Sequence, residues 1–370
     1  MTTGEIQFNT ITDSNEKITE AGLQNSAAKL FPPGTLLMAM YGQGKTRGQV
    51  AKLGIEAATN QNSAAILLND GYDPDFYFHV LSSEYDNIRE FGHTGGISHL
   101  NAGILKQFSV PVAPILEQRR IASIISTWDH AIVAAKQLLN NGEKRRKGLA
   151  QTLLLGKKRF RHFTAPWVPV TFGEVMKEVK RRVEWDDEEL YPLISVRRRS
   201  EGAFHRDTLK GSEILTKKLN YARKGEFLIS KMQVFHGAMA IVPEDLDGMF
   251  ISDSYISFKS ANESIYNIGF VGWLSTTQQM YRSVRRCSYG VHVEKMTFDI
   301  EMFLNERFFI PTDIEEQKLI CSVLSNADAE VKAAKSHLEQ LKEEKSALMS
   351  QLLTGKRRVK LTEEDNPAQT

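Results

Sequence analysis

The first feature of this 370-residue chain that could do chemistry is a lysine in a glycine-rich loop after an apolar run. Ala39-Met40-Tyr41-Gly42-Gln43-Gly44-Lys45-Thr46 satisfies a permissive phosphate-loop pattern, with Ala where the first Gly belongs. In a true phosphate loop, backbone N–H groups cradle phosphates at the start of a helix. Here Gly48, Val50 and Gly54 follow within a few residues, a poor helix start, and Leu67 to Asp70 comes too soon for a second nucleotide-site strand. An ATPase centred on Lys45 is kept only as an alternative. Other catalytic signatures are incomplete. Asp73-Pro74-Asp75 lacks the second Pro of the methyltransferase tetrad, and Phe91 to Gly95 has glycines at the wrong spacing for an adenosylmethionine loop. His79, His99, His205, His236 and His292 are scattered, with no pair at metal-ligand spacing. Cys287 and Cys321 are too few and too far apart for a metal site or a disulfide framework, and read as packing residues. No catalytic residue and no metal ligand is assigned, so the chain reads as a binder.

Charge is the next resource. The net charge is only +2, yet residues 117–163 carry 11 basic and 3 acidic side chains, concentrated in Lys144-Arg145-Arg146-Lys147 and Lys157-Lys158-Arg159. Such runs are ordinary on a solvated face. They are also what a phosphate backbone or an acidic partner requires.

The elements that must position these groups are organised by an internal repeat. Residues 117–159 and 316–358 match at 16 of 43 positions when shifted by 199, including Glu117 with Glu316, Gln118 with Gln317 and Asp129 with Asp328. In each copy apolar residues alternate at steps of four and three, the seam of a coiled coil. The first seam holds Ile121, Ile125, Ile132, Leu139, Leu149 and Leu153, and is weak at Gly142 and Arg146. The second holds Ile320, Leu324, Val331, Leu338, Leu341, Leu348 and Leu352, broken by Lys345. A seam this narrow cannot bury itself, and the other copy is its natural partner. The expectation is an antiparallel pair roughly 55–60 Å long that acts as a spacer.

Globular segments precede each helix. The reading assigns residues 1–110 and 164–309 to two domains, 111–163 and 310–361 to the central and distal helices, and 362–370 to an acidic tail. In the first domain Leu36 to Met40 and Ala64 to Asp70 are candidate strands. In the second they are Tyr191 to Val196, Phe227 to Ser230, Met239 to Val242 and Tyr255 to Phe258. Phe108 to Pro111 and Phe308 to Pro311 share one boundary pattern. The second domain spends 58 residues from Trp167 to Gly225 before its Gly-led strand, against 33 before Gly34, so the opening of the first domain is expected to be missing. No run approaches a membrane span and no export signal opens the sequence, which points to the cytoplasm. The fold class is α+β (mixed α/β): two globular domains separated by a long antiparallel two-helix coiled coil with pseudo-twofold symmetry.

This architecture resembles the specificity (S) subunit of type I restriction-modification systems. The resemblance rests on the helix entries Pro111 to Gln118 and Pro311 to Gln317, and on Ile121 to Ile125 with Ile320 to Leu324. It also rests on the exits Gln151 to Lys157 and Ser350 to Lys356, and on Gly42 to Thr46 with Thr59-Asn60-Gln61. It implies two target-recognition domains, each reading half of a bipartite site in double-stranded DNA, with helices that set the spacing. Two methyltransferase (M) subunits would dock on the helices, and restriction/motor (R) subunits would join through them. S-adenosylmethionine, ATP and Mg²⁺ would belong to those partners and none to this chain. In the family a recognition domain begins with a Trp-containing segment like Pro166 to Glu174, which the first domain here lacks.

Under that resemblance, the residues expected at DNA are those able to hydrogen-bond base edges and phosphates from loops. In the first domain they are Gln43, Lys45 and Arg47 in the Gly-rich loop, with His99 and Asn101 after Gly95-Gly96. In the second they are Arg197, Arg198 and Arg199, then Lys231 and His236, then a third basic loop of Arg282, Arg285, Arg286 and Tyr289. A coiled-coil scaffold whose globular ends bind protein is the rival from another class.

Overall fold

The computed structural model describes residues 1–42, 44–91, 100–290 and 296–361. Gln43, His99, His292, the glycines of the Phe91 to Gly95 motif and the acidic tail lie outside the described residues. By compactness the chain divides into Met1–Gln137 with Ser336–Thr370, and Leu138–Lys335. Each unit therefore holds one globular domain together with half of each long helix, whereas the sequence boundaries treated the helices as separate segments.

In unit 1, strands β1 (Thr10–Ile11), β2 (Leu36–Ala39), β3 (Val50–Leu53) and β4 (Ser63–Ile66) form a sheet in the order β1-β3-β2-β4. The expected strand at 64–70 is thus shorter and ends at Ile66. All of β2 is buried because it is covered on both faces. Leu36 and Met38 face Phe76 and Val80 of helix α1 (Pro74–Ser83), while Leu37 and Ala39 join Ile6, Ile11, Ala51 and Leu53. This is the period of two that a strand imposes. Helix α1 starts where Pro74 sits at its first position and the Asp73 carboxylate accepts from the Phe76 N–H at 2.9 Å.

Unit 2 repeats the scheme with additions. Its strands are β5 (Trp167–Thr171), β6 (Met176–Val179), β7 (Leu190–Val196), β8 (Ala203–Lys210), β9 (Leu219–Tyr221), β10 (Phe227–Ser230), β11 (Met239–Ile241), β12 (Phe250–Ser252), β13 (Tyr255–Ser260) and β14 (Arg307–Pro311). They form sheets in the orders β8-β7-β12-β9 and β11-β10-β13-β6, and β14 pairs with β5. Like β2, β10 is buried on both faces, with Phe227 and Ile229 in one cluster and Leu228 in another. The two boundary segments differ, however. Phe308 to Pro311 lies in β14, whereas Phe108 to Pro111 belongs to no strand.

The central helix (Ile115–Leu153) and the distal helix (Ile314–Leu352) each run 39 residues, about 58 Å at 1.5 Å per residue. Along the seam Ile121, Ile125, Ile132, Leu153, Ile320, Leu324, Val331, Leu338 and Leu352 are buried, and Leu139, Leu149, Leu341 and Leu348 half-buried. Within each unit the two helices run antiparallel, as their ion pairs require. In unit 1 Glu117 takes the Arg358 guanidinium and Asp129 the Lys345 ammonium. In unit 2 Glu316 takes Arg159 at 2.7 Å and Asp328 takes Arg146. The second set is the first shifted by 199 residues. The apparent seam defects at Lys345 and Arg146 are therefore cross-helix pairs, and Gly142 is where the helices come close: a Cβ there would lie 3.3 Å from Val331. Arg358 holds the Glu117 carboxyl below the usual carboxylate range.

A buried glutamine joins each helix start to its domain. The Gln118 oxygen accepts from the Asp73 N–H at 2.8 Å, and its amide donates to the carbonyls of Gly71 and Ala113. Gln317 does the same with the Asn267 N–H at 2.8 Å and the carbonyls of Ile265 and Pro311. Gln317→Leu leaves these backbone groups unpaired, and thermal or denaturant unfolding of the full chain should show a loss of about 2–4 kcal/mol.

His79 is a core residue, 3% exposed, with Nε2 3.5 Å from the Ser126 hydroxyl and Nδ1 without a partner. Burial pushes its pKa down to about 4, against the pull of Asp129 and Asp75; Lys345 and Lys52 add to the lowering. The folded state therefore holds it neutral while the unfolded chain takes up a proton below about pH 6.5. Stability contributed this way is complete above pH 6.5 and falls as the pH drops towards 4, by roughly 3 kcal/mol in all. Denaturant titrations across that range should show the loss in the native chain and a flatter profile in His79→Leu.

Candidate nucleic-acid interface

The second domain brings its sequence-nominated cations together. Strand β7 ends in a tight turn, Arg198–Ser200, in which Arg199 and Ser200 hold positive φ of 59° and 55°. Non-glycine residues pay for that conformation, so the surroundings must enforce it. They do so through the Ser200 N–H, which donates to the Gly237 carbonyl at 2.7 Å, and the Ser200 hydroxyl, which donates to the Ser275 carbonyl at 3.0 Å. Arg197 lies over the Phe204 ring at 4.1 Å, and Arg198 Nε donates to the Gln233 amide oxygen at 2.9 Å. Arg199 is exposed.

The Lys231–Gly237 loop is thereby tied to this turn, and Lys231 Nζ donates to the Asp253 carbonyl at 2.7 Å. Helix α4 (Gln278–Arg286; α2, Tyr85–Phe91, and α3, Ile268–Leu274, precede it) packs on the other side of the loop. Gly237 has φ +77°, and a Cβ there would stand 2.2 Å from the Tyr281 hydroxyl, so this contact needs glycine. Arg285 lies 5.6 Å from the Phe235 ring, whose edge meets His236. Arg282, one helical turn earlier, shares that face. The expected basic loop at 282–286 is thus a helix. Arg286 is engaged by a fork to Glu306 that holds the Glu306 carboxyl below its usual range. Tyr289 is 60% exposed, on a short strand paired with Thr297–Phe298.

The first domain offers less. Strands β2 and β3 are antiparallel neighbours, Leu36 opposite Lys52 and Met38 opposite Val50, so the Lys45 loop closes a hairpin. A phosphate loop needs a helix there, and the nucleotide alternative is overturned by that geometry. The loop is braced by α2: the Tyr85 hydroxyl donates to the Lys45 carbonyl, and Arg89 donates to the Arg47 carbonyl at 3.0 Å while lying over the Tyr85 ring. Lys45 is exposed. Arg47 is only 5% exposed, so its place in the list of surface contacts is corrected: its side chain is buried in the domain. The Leu100 N–H donates to the Met40 carbonyl, which sets Asn101 beside the loop, but the Asn101 oxygen caps a short helix by accepting from the Ile104 N–H.

Several supporting residues escape a reading by charge, Phe204, Gln233, Tyr281 and Tyr85, and Arg89, though charged, lies outside the loops singled out by that reading. Only the i,i+4 spacing of Tyr85 and Arg89 on one helix could have flagged a pair. The basic runs on the central helix also prove partly internal, since Arg145, Arg146 and Arg159 pair with Glu330, Asp328 and Glu316. Burial pushes the thiols of Cys287 and Cys321 up to about 11 and about 12, away from reactive thiolate. Among the described residues no group of three or more His, Cys, Asp or Glu could hold a metal ion, and no helix is long and apolar enough to cross a membrane.

Comparison with known proteins finds similarity of one kind. Residues 2–141 match the model of the type I restriction modification DNA specificity domain. Two proteins of Methanocaldococcus jannaschii named as type I restriction enzyme specificity subunits are 25% identical over 278 residues and 22% identical over 320 residues. These matches cover 71% and 78% of this chain, and 62% and 71% of those relatives, so the first is matched over less than two thirds of its length. The crystal structure of a type I restriction-modification S subunit from M. genitalium shares the fold at a TM-score of 0.58 and 16% identity, covering 90% of this chain and 84% of that one. The specificity-domain model thus covers residues 2–141, and over the rest of the chain the likeness is to specificity subunits at 22–25% identity and to the fold of an S subunit.

Proposed function

We propose that this chain is the DNA-reading subunit of a type I restriction-modification complex, each globular domain reading one half of a bipartite double-stranded site and the paired helices setting the interval. The observation that carries this reading is the cationic surface of the second domain. There Arg197, Arg198, Arg199, Lys231, Arg282 and Arg285 project from segments locked to one another. Arginine presented on a rigid frame matches the bidentate acceptors of guanine and of phosphate. In the first domain Lys45 is the exposed cation of the corresponding loop, with Gln43, His99 and Asn101 as candidate neighbours. His236 and Tyr289 flank the second surface.

Catalysis belongs to partners in this reading. Two methyltransferase subunits dock on the similar helix ends and use S-adenosylmethionine; restriction subunits join through them and use ATP and Mg²⁺. The complex works in the cytoplasm. Equilibrium DNA binding with the methyltransferase subunits present tests the assignment. Arg199→Ala should weaken binding about 10-fold, and the combined Arg198, Arg199 and Arg285 to Ala variant about 100-fold with a shallower salt dependence. Arg286→Ala should instead lower stability, because it removes the charged partner of Glu306, with little change in affinity. Unaltered affinity and salt slope in the combined variant would refute the surface; an assembled complex without DNA binding would favour a protein scaffold.

A further inference from the structure

The buried central strands of the two domains end alike. The last residue of each donates its N–H across the mouth of the hairpin that follows, Ala39 of β2 to the Gln49 carbonyl at 2.9 Å and Ser230 of β10 to the Ala238 carbonyl at 3.0 Å. Two residues further on, each domain carries a large, exposed side chain, Tyr41 at 42% and Met232 at 60%. Single apolar residues scattered over a surface need no explanation. The same placement in both domains, at the opening of the loop that holds candidate DNA-binding cations, does need one.

At Met232 the fold itself supplies no reason for an apolar residue. The Gln233 N–H donates to the Ser230 carbonyl at 3.1 Å, which closes a turn with Lys231 and Met232 at its two corners. Such corners favour glycine and short polar residues. Met232 belongs to neither of the apolar clusters that bury β10. Yet the backbone beneath it is held on both sides. The Lys231 N–H donates to the Ser254 carbonyl at 2.8 Å and Lys231 Nζ to the Asp253 carbonyl at 2.7 Å, while the Gln233 amide oxygen accepts from Arg198 at 2.9 Å. A thioether is thereby presented to solvent from a fixed point, between Lys231 and the residue that holds Arg198.

We propose that Met232 reads the C5-methyl group of a thymine in the major groove of the half-site that the second domain engages, and so sets specificity at one base pair. A thioether on a hydrocarbon stem has no hydrogen-bond donor and only a weak acceptor, so it cannot read the polar pattern of a base edge. The apolar feature displayed in the major groove is the thymine methyl. The neighbouring cations hold phosphates and guanine edges and fix the register, and the unbranched Met side chain adapts to a methyl group within that register. The inference rests on the DNA-reading proposal and names one base-reading residue within it. Tyr41 stands at the matched place in the first domain, where a phenol hydroxyl adds a hydrogen-bonding group that Met232 lacks.

The test uses the full chain with its methyltransferase subunits. Selection from a random duplex library supplies a bound sequence, and each thymine in it is then exchanged singly for uracil, which removes only the methyl group. One exchange is expected to weaken binding by the native chain about 4-fold, as for one methyl group taken out of water, and to leave binding by Met232→Ala unchanged. Met232→Ala should itself bind the thymine duplex about 5-fold more weakly, with an unaltered salt slope because no phosphate contact is lost. Met232→Leu should restore the sensitivity to uracil. The proposal is overturned if the bound sequence holds no thymine, if no exchange weakens the native chain, or if every exchange weakens Met232→Ala as much as the native chain. Loss of affinity in Met232→Ala without any response to uracil also overturns it, and would mark a wedge between stacked bases. A library that yields no bound sequence refutes DNA reading and this inference together, whereas a bound sequence without the coupling removes this inference alone.

Discussion

An antiparallel pair of helices with a leucine and isoleucine seam could slide by a whole heptad at little cost in buried area. Here the charges across the seam forbid it. Glu117 with Arg358 and Asp129 with Lys345 fix one unit; Arg159 with Glu316 and Arg146 with Asp328 fix the other. Glu316 and Gln317 are fully buried, and Glu117 and Gln118 nearly so. A slip would strand charged and polar groups in apolar surroundings, a cost far above that of losing an exposed ion pair. The register is thus specified by what misalignment would leave unpaired, more than by the attraction of the pairs themselves.

The glutamine beside each glutamate extends that constraint into the globular domain. Gln118 and Gln317 each bind one backbone N–H and two carbonyls, so the helix start and the domain beside it form one cooperative piece. That explains why contacts group each half-helix with a domain. Loops that carry candidate DNA-binding side chains then inherit their rigidity from the sheet and helix behind them, as at Ser200 and Gly237.

The sequence made the helix repeat legible because its period is strong and its two copies align without a gap. The buried strands Leu36–Ala39 and Phe227–Ser230 were legible too, since a glycine-led turn and a short apolar run leave few alternatives. What escaped depends on partners distant in sequence. Arg146 and Lys345 looked like flaws in a seam until Asp328 and Asp129 stood opposite. Arg282 to Arg286 looked like a loop because their apolar contacts, through Met280 and Val284, fall on the other face of one short helix. Arg47 was nominated by charge alone, and its burial follows from a hairpin that a linear motif resembling a phosphate loop concealed. Pairing of Phe308 to Pro311 but not Phe108 to Pro111 turns on Trp167 to Thr171, a partner that no local pattern in either segment encodes.

The central claim is that the two helix copies pair antiparallel in one register, repeated in each unit. It is tested most directly by cysteine cross-linking in a chain whose Cys287 and Cys321 are replaced by Ser. Gly142→Cys with Val331→Cys probes unit 2, and Ile132→Cys with Leu341→Cys probes the matched place in unit 1. Rapid intramolecular disulfide formation by both pairs in the folded, monomeric chain is the predicted result; cross-linking only between molecules, or by neither pair, would contradict it.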